Sequence, residues 1–235
     1  MKTMLNRKII LRTSIIFLAI FTLFCTGLVS IRLYVDQFIK DNYQRRVAVW
    51  QETAKNIPQD CIIFIGDSHT EYFMLDEYFP GLPVINRGIY GDTTYGVLNR
   101  LDKSVFNLKP KIVFLLIGVN DTKKTKGGNE KIVENIKDIV LQLRNVFPES
   151  KIYVQSLYPV NQGSFDAYKI CNKRILDINV LLQSFCLNEN IAYIDMFSQL
   201  VDETGRLRED FTFDGLHLNS AGYRFVADIL YPYLW

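Results

Sequence analysis

The chain has only two histidines and four cysteines in 235 residues. The cysteines, Cys25, Cys61, Cys171 and Cys186, show no C-x-x-C or similar metal-ligand spacing, so a zinc knuckle or dithiol redox centre is excluded. Buried free thiols are the plain reading, although a Cys171–Cys186 disulfide is open if the two do not share one straight helix. Charge excess is missing as well. A formal net charge of +2 offers no clustered basic surface of the kind that holds nucleic acid. Low-complexity segments and internal repeats are absent. Aromatic and branched apolar residues are too plentiful for a disordered chain. With this length the chain can bury a sizeable core without disulfide or metal staples.

What is present begins with an asymmetry. Lys2, Arg7, Lys8 and Arg12 precede an uncharged run, "TSIIFLAIFTLFCTGLVSI", from Thr13 to Ile31, closed by Arg32. At helical rise such a run spans roughly 28 Å, close to the hydrocarbon thickness of a bilayer. A cleaved leader would have a shorter apolar stretch and a small-x-small cleavage site, and Phe24 spoils "TLFC" as a lipoprotein signal. A retained signal-anchor is therefore expected over residues 1–33, with cleavage as the alternative. Basic residues before the span place the N-terminus in the cytoplasm and the rest outside. Over residues 34–57, Tyr43, Val47, Trp50, Ala54 and Ile57 repeat at helical spacing, which predicts an amphipathic stalk ending at Pro58.

From Pro58 to Trp235 strands and helices alternate. "CIIFIG", "PVINRGI", "KIVFLLIGVN", "KIYVQSLYPV" and "IAYIDMF" are nearly continuous apolar runs, as strands buried on both faces of a parallel sheet require. Between them lie helical patterns over "NEKIVENIKDIVLQLRNVFP" and "DAYKICNKRILDINVLLQSF", and a last helix opens at Asn219, a good N-cap. The expected fold is a three-layer α/β/α sandwich around five parallel strands.

Polar clusters fall where those strands end, which is where open parallel sheets place their sites. They are "GDSH" at Gly66 to His69, "NRGIYGDT" at Asn86 to Thr93, "GVND" at Gly118 to Asp121, and "DGLHLN" at Asp214 to Asn219. Ser68 is a nucleophile only if a base takes its proton; otherwise it is a turn or N-cap serine. His217 is the base independent of the Ser68 turn, and Asp214, three residues earlier, can orient its ring. Backbone N–H groups of Ser68 and Gly91 and the side-chain amide of Asn120 are candidate donors to an oxyanion. Asn120 and Asp121 could instead simply end a strand, and Asp121 is expected to do so. His69, joined to Ser68 by one peptide bond, is expected to point away, at the pocket edge or in a structural role. Tyr90 and Tyr95 are expected to be core or rim residues, and "TKKTKGG", Thr122 to Gly128, a solvated loop.

These four blocks, in this order and spacing from Cys61 onward, resemble the GDSL or SGNH hydrolases. The resemblance implies a flavodoxin-like strand order, Ser68 as nucleophile, Gly91 and Asn120 in the oxyanion hole, and Asp214 and His217 completing a triad that needs neither metal nor cofactor. His69 stands where that family more often has an apolar residue. Thr70 departs from the G-x-S-x-G elbow of α/β-hydrolases. A domain of about the minimum length for five βα units leaves little room for a lid. It fits a short acyl group on a larger alcohol, such as an acetylated glycan. Lysophospholipase, acyltransferase, or an idle domain that binds envelope glycans or proteins are the alternatives.

Overall fold

The computed structural model describes residues 2–124, 127–163 and 170–235. It divides into two compact units, one up to Arg45 and one from Arg46 to Trp235.

The first unit is helical. It belongs to α1 (Lys2–Thr53), a single helix that joins the expected span and stalk. No proline interrupts it, and Gly27 is its lone glycine. From Phe17 onward it is long and apolar enough to cross a membrane, with a mean hydropathy of 1.9. Phe17, Leu18, Phe21, Phe24 and Leu28 are all exposed, which a core helix of a soluble domain would not show. The last turns of α1 belong to the second unit, because Val47 and Trp50 are buried there.

In the second unit the elements run β1 (Cys61–Gly66), α2 (Ser68–Glu71), α3 (Leu75–Tyr78), β2 (Val84–Gly88), α4 (Thr94–Leu98), α5 (Leu101–Ser104), β3 (Pro110–Leu116), α6 (Asp121–Lys124), α7 (Gly128–Val146), β4 (Lys151–Gln155), α8 (Asn172–Asn188), β5 (Ala192–Ile194), α9 (Phe197–Leu200) and α10 (Ser220–Leu230). All strand pairs are parallel, in the order β2-β1-β3-β4-β5. Helices cover both sides, giving the expected three-layer sandwich with flavodoxin-like order. β1 is buried along its whole length, as its unbroken apolar run requires. Phe64, Phe114 and Tyr153 are in register across three strands, and their rings stack at 4.7 and 5.2 Å. Ile132, Ile136, Ile139, Val140 and Leu143 bury one stripe of α7, and Ile175, Ile178 and Leu182 one stripe of α8. The helix expected from Asp166 is described from Asn172 onward; Asp166 to Lys169 lie outside the described residues, as do Thr125 and Lys126 of the expected loop.

Two glycines let the strand ends deliver a turn. A Cβ at Gly66 would sit 2.3 Å from the Leu116 carbonyl oxygen and 2.2 Å from Thr70 Oγ1. A Cβ at Gly88 would sit 2.2 Å from the Glu71 backbone nitrogen. Both approaches are far inside van der Waals contact, so Thr70 and the end of β3 can close on Gly66, and the α2 backbone on Gly88, only where side chains are missing.

Candidate active site

The turn after β1 carries Ser68 into the first position of α2, with Asp67 as its N-cap. Asp67 Oδ1 accepts the His69 backbone N–H at 3.0 Å, which stops the strand and opens the helix. Ser68 is 3% exposed and His217 6%. His217 comes from the segment between Phe211 and α10, which the hydroxyl of Thr212 shapes by donating to the His217 carbonyl at 2.7 Å and accepting from Gly215 N–H at 2.9 Å. Gly215 takes φ +81°, a conformation other residues rarely adopt.

The two segments meet side chain to side chain. Ser68 Oγ lies 2.9 Å from His217 Nε2, and His217 Nδ1 lies 2.6 Å from Asp214 Oδ2. Asp214 Oδ1 also accepts the backbone N–H groups of Leu216 and His217, at 2.9 and 2.7 Å. The carboxylate therefore both folds the turn and orients the ring. A carboxylate only accepts, so Nδ1 carries the proton and Nε2 is left to accept from the serine hydroxyl. Burial, and after it the neighbouring His69, hold the His217 pKa below its ordinary value, against the pull of Asp214. Burial alone would raise the Asp214 pKa, but the His217 ring and the two backbone donors lower it. A neutral imidazole beside an ionised carboxylate is what proton abstraction from a hydroxyl needs.

Gly91 takes φ +71° in the loop after β2, and Asn120 follows β3. Asn120 Nδ2 donates to the Asp92 carbonyl at 3.0 Å, so these two expected oxyanion residues are tied to one loop. That loop is held by groups the sequence did not single out. Arg100, fully buried, donates from Nε to Asp92 Oδ2 at 2.8 Å and from Nη2 to the carbonyls of Gly66 and Arg87 at 3.1 and 3.0 Å. One guanidinium thus binds the loop of Gly91 to the residue that precedes the Ser68 turn. Asp121, expected to end a strand, is fully buried and accepts both the N–H and the hydroxyl of Thr94, at 2.9 and 2.6 Å. These pairings join residues from separate loops, and no local spacing betrays them.

His69 is buried in a structural place, one of its two expected readings. Its chain is helical rather than extended, so the ring turns inward and Asp67 reaches it, with Nδ1 3.3 Å from Oδ1. Tyr72, Tyr90 and Phe213 flank the His217 ring at 5.2, 6.1 and 6.1 Å, and each is well exposed, as the expected rim position of Tyr90 requires. Tyr95 is exposed too.

Comparison with known proteins points the same way. The GDSL-like Lipase/Acylhydrolase family model matches residues 64–225. Human platelet-activating factor acetylhydrolase IB subunit alpha2 is 28% identical over 194 residues, 77% of this chain and 82% of that protein. A solved structure from Streptococcus pneumonia, which bears the name of platelet activating factor, is 28% identical with a TM-score of 0.81, covering 88% of this chain and 99% of its own. An acetyl xylan esterase shares the fold at 23% identity and TM-score 0.63, covering 74% of this chain and 99% of its own.

The buried Arg100–Asp92 pair gives a first test. Arg100→Met leaves the Asp92 carboxylate buried without its partner, a loss of about 3–5 kcal/mol for such pairs. Chemical denaturation should show a loss of that size. A stability within 1 kcal/mol of wild type would mean that the pair does not hold the loop.

Proposed function

Since the chain belongs to the GDSL-like lipase/acylhydrolase family and is an ester hydrolase of that type, we propose that it is a membrane-anchored serine esterase cleaving short-acyl esters, acetyl esters of glycans foremost. The observation that carries this reading is the unbroken line from Ser68 Oγ to His217 at 2.9 Å and on to Asp214 at 2.6 Å. His217 Nε2 takes the hydroxyl proton while Oγ forms a bond to the ester carbonyl carbon, and the carbonyl electron pair moves to oxygen. That oxyanion is received by the N–H groups of Ser68 and Gly91 and by Asn120. An amide nitrogen carries two hydrogens, so the bond from Asn120 to Asp92 leaves a second one for this purpose. The C–O bond to the alcohol then breaks, and His217 returns the proton to the leaving oxygen. Water, deprotonated by His217 in turn, releases the acid and restores Ser68.

The short acyl group is supported by relatives named for acetyl esters, the human acetylhydrolase subunit and the acetyl xylan esterase. The glycan alcohol is supported by the exposed faces of Tyr72, Tyr90 and Phe213 around His217, flat apolar surfaces on which a sugar ring can lie. The N-terminal helix anchors the chain, with Lys2, Arg7, Lys8 and Arg12 on the cytoplasmic side and the hydrolase unit outside.

Steady-state kinetics of the full chain in detergent test the chemistry. Ser68→Ala and His217→Ala should each nearly abolish hydrolysis of p-nitrophenyl acetate, and the double variant should lose little more, since triad members act as a unit. Asn120→Ala should lower turnover by roughly 100-fold with KM little changed. Acetyl esters should exceed lauroyl esters in kcat/KM; the reverse order would move the substrate to lysolipids. Protease added to sealed cells tests the topology. Digestion of the hydrolase unit is the expected result, and protection until the membrane is opened would reverse the orientation.

A further inference from the structure

The triad leaves the second histidine unused, yet His69 is the more enclosed of the two, at 3% exposure. Both of its ring nitrogens face acceptors. Nδ1 lies 3.3 Å from Asp67 Oδ1, and Nε2 lies 2.9 Å from the Leu216 carbonyl oxygen. A neutral imidazole has one N–H and satisfies one of these partners, whereas the doubly protonated ring satisfies both. Leu216 immediately precedes His217, so whatever grips its carbonyl also sets how His217 meets Ser68. We propose that His69 is a positioning residue for the ester hydrolysis, held as an imidazolium that clamps the His217 loop to the nucleophile turn and sets a positive charge beside the catalytic ring. The inference rests on the Ser68–His217–Asp214 reading.

The surroundings of His69 favour that charged form. Asp67, its partner in the same turn, is 1% exposed and has only this ring as an ion-pair partner among the described residues. From the His217 loop come the His217 ring, centred 5.8 Å away, and the charge of Asp214. From the segment after β4 comes Tyr158, whose ring meets His69 edge-on at 5.2 Å and whose hydroxyl donates to Gln155 at 2.8 Å. From α10 comes Tyr223, whose hydroxyl donates to the His69 carbonyl at 2.9 Å. Burial raises the pKa of both tyrosines, so they stay neutral. Burial alone would lower the His69 pKa, but the hydrogen bond and charge of Asp67 and the Leu216 carbonyl outweigh it and raise it.

A positive ring beside His217 disfavours a second positive charge there, so His217 stays a neutral base to lower pH. Removing the His69 charge lets His217 protonate more easily, and the acid limb of kcat/KM moves to higher pH.

The test compares pH profiles for p-nitrophenyl acetate hydrolysis by the full chain in detergent, as wild type, His69→Gln, His69→Leu and Ser68→Ala. In both His69 variants the acid limb should rise by about half a pH unit or more. His69→Gln retains a donor for the Leu216 carbonyl and should keep its plateau within about tenfold of wild type, while His69→Leu should lose at least about 30-fold in kcat with KM little changed. An acid limb that stays in place in both variants, with Ser68→Ala inactive, overturns this inference alone. Hydrolysis that survives Ser68→Ala overturns the triad reading and this inference with it. Nitrogen NMR of wild-type chain labelled at histidine gives a readout free of any variant's folding. Two protonated nitrogens on the His69 ring at pH 7 are expected, and a single protonated nitrogen would refute the imidazolium.

Discussion

Everything at the site depends on one close approach of backbone to backbone. The turn from Asp67 to Glu71 lays its backbone against Gly88 and its Thr70 side chain against Gly66, so neither glycine has room for a Cβ. Ile89 N–H and the Arg100 guanidinium take the Gly66 carbonyl, at 3.2 and 3.1 Å. The same turn brings Ser68 to the sheet edge as a helix start, with its hydroxyl facing the loop that delivers His217.

Around that turn the loops are fastened by buried polar groups rather than by more core. Arg100 with Asp92, Asp121 with Thr94, and Asn135 with Thr94 at 2.9 Å form pairings that link the ends of β1, β2 and β3 to α4 and α7. Such networks are costly when half made and rigid when complete. The end of α1 reaches this region as well. Trp50 lies against the guanidinium groups of Arg46, Arg87 and Arg100, at 5.3, 4.9 and 5.5 Å.

The sheet could be read from the chain because burial on both faces writes itself as unbroken apolar runs, "CIIFIG" above all. Helical stripes such as Ile132, Ile136 and Leu143 were equally plain, since one buried face imposes its period. That Ser68, His217 and Asp214 meet could be expected because histidine is scarce, with only two to choose from. What could not be read was contact between loops. Nothing near Asp121 signals that its carboxylate will hold Thr94, and nothing near Arg100 signals Gly66. The pairing of His69 with Asp67 is hidden for a related reason: the Asp67 cap starts a helix there and turns the ring inward.

The central claim is that Ser68, activated by His217, forms a covalent bond to the acyl group. The most direct measurement is covalent labelling of the full chain with a p-nitrophenyl phosphonate, followed by peptide mass spectrometry. The phosphorus is attacked as the ester carbon would be, and p-nitrophenolate leaves. One phosphonyl group per chain, located on Ser68 and formed far more slowly in His217→Ala, is the predicted result. A label on another residue, or full ester hydrolysis by a chain whose Ser68 is already modified, would contradict it.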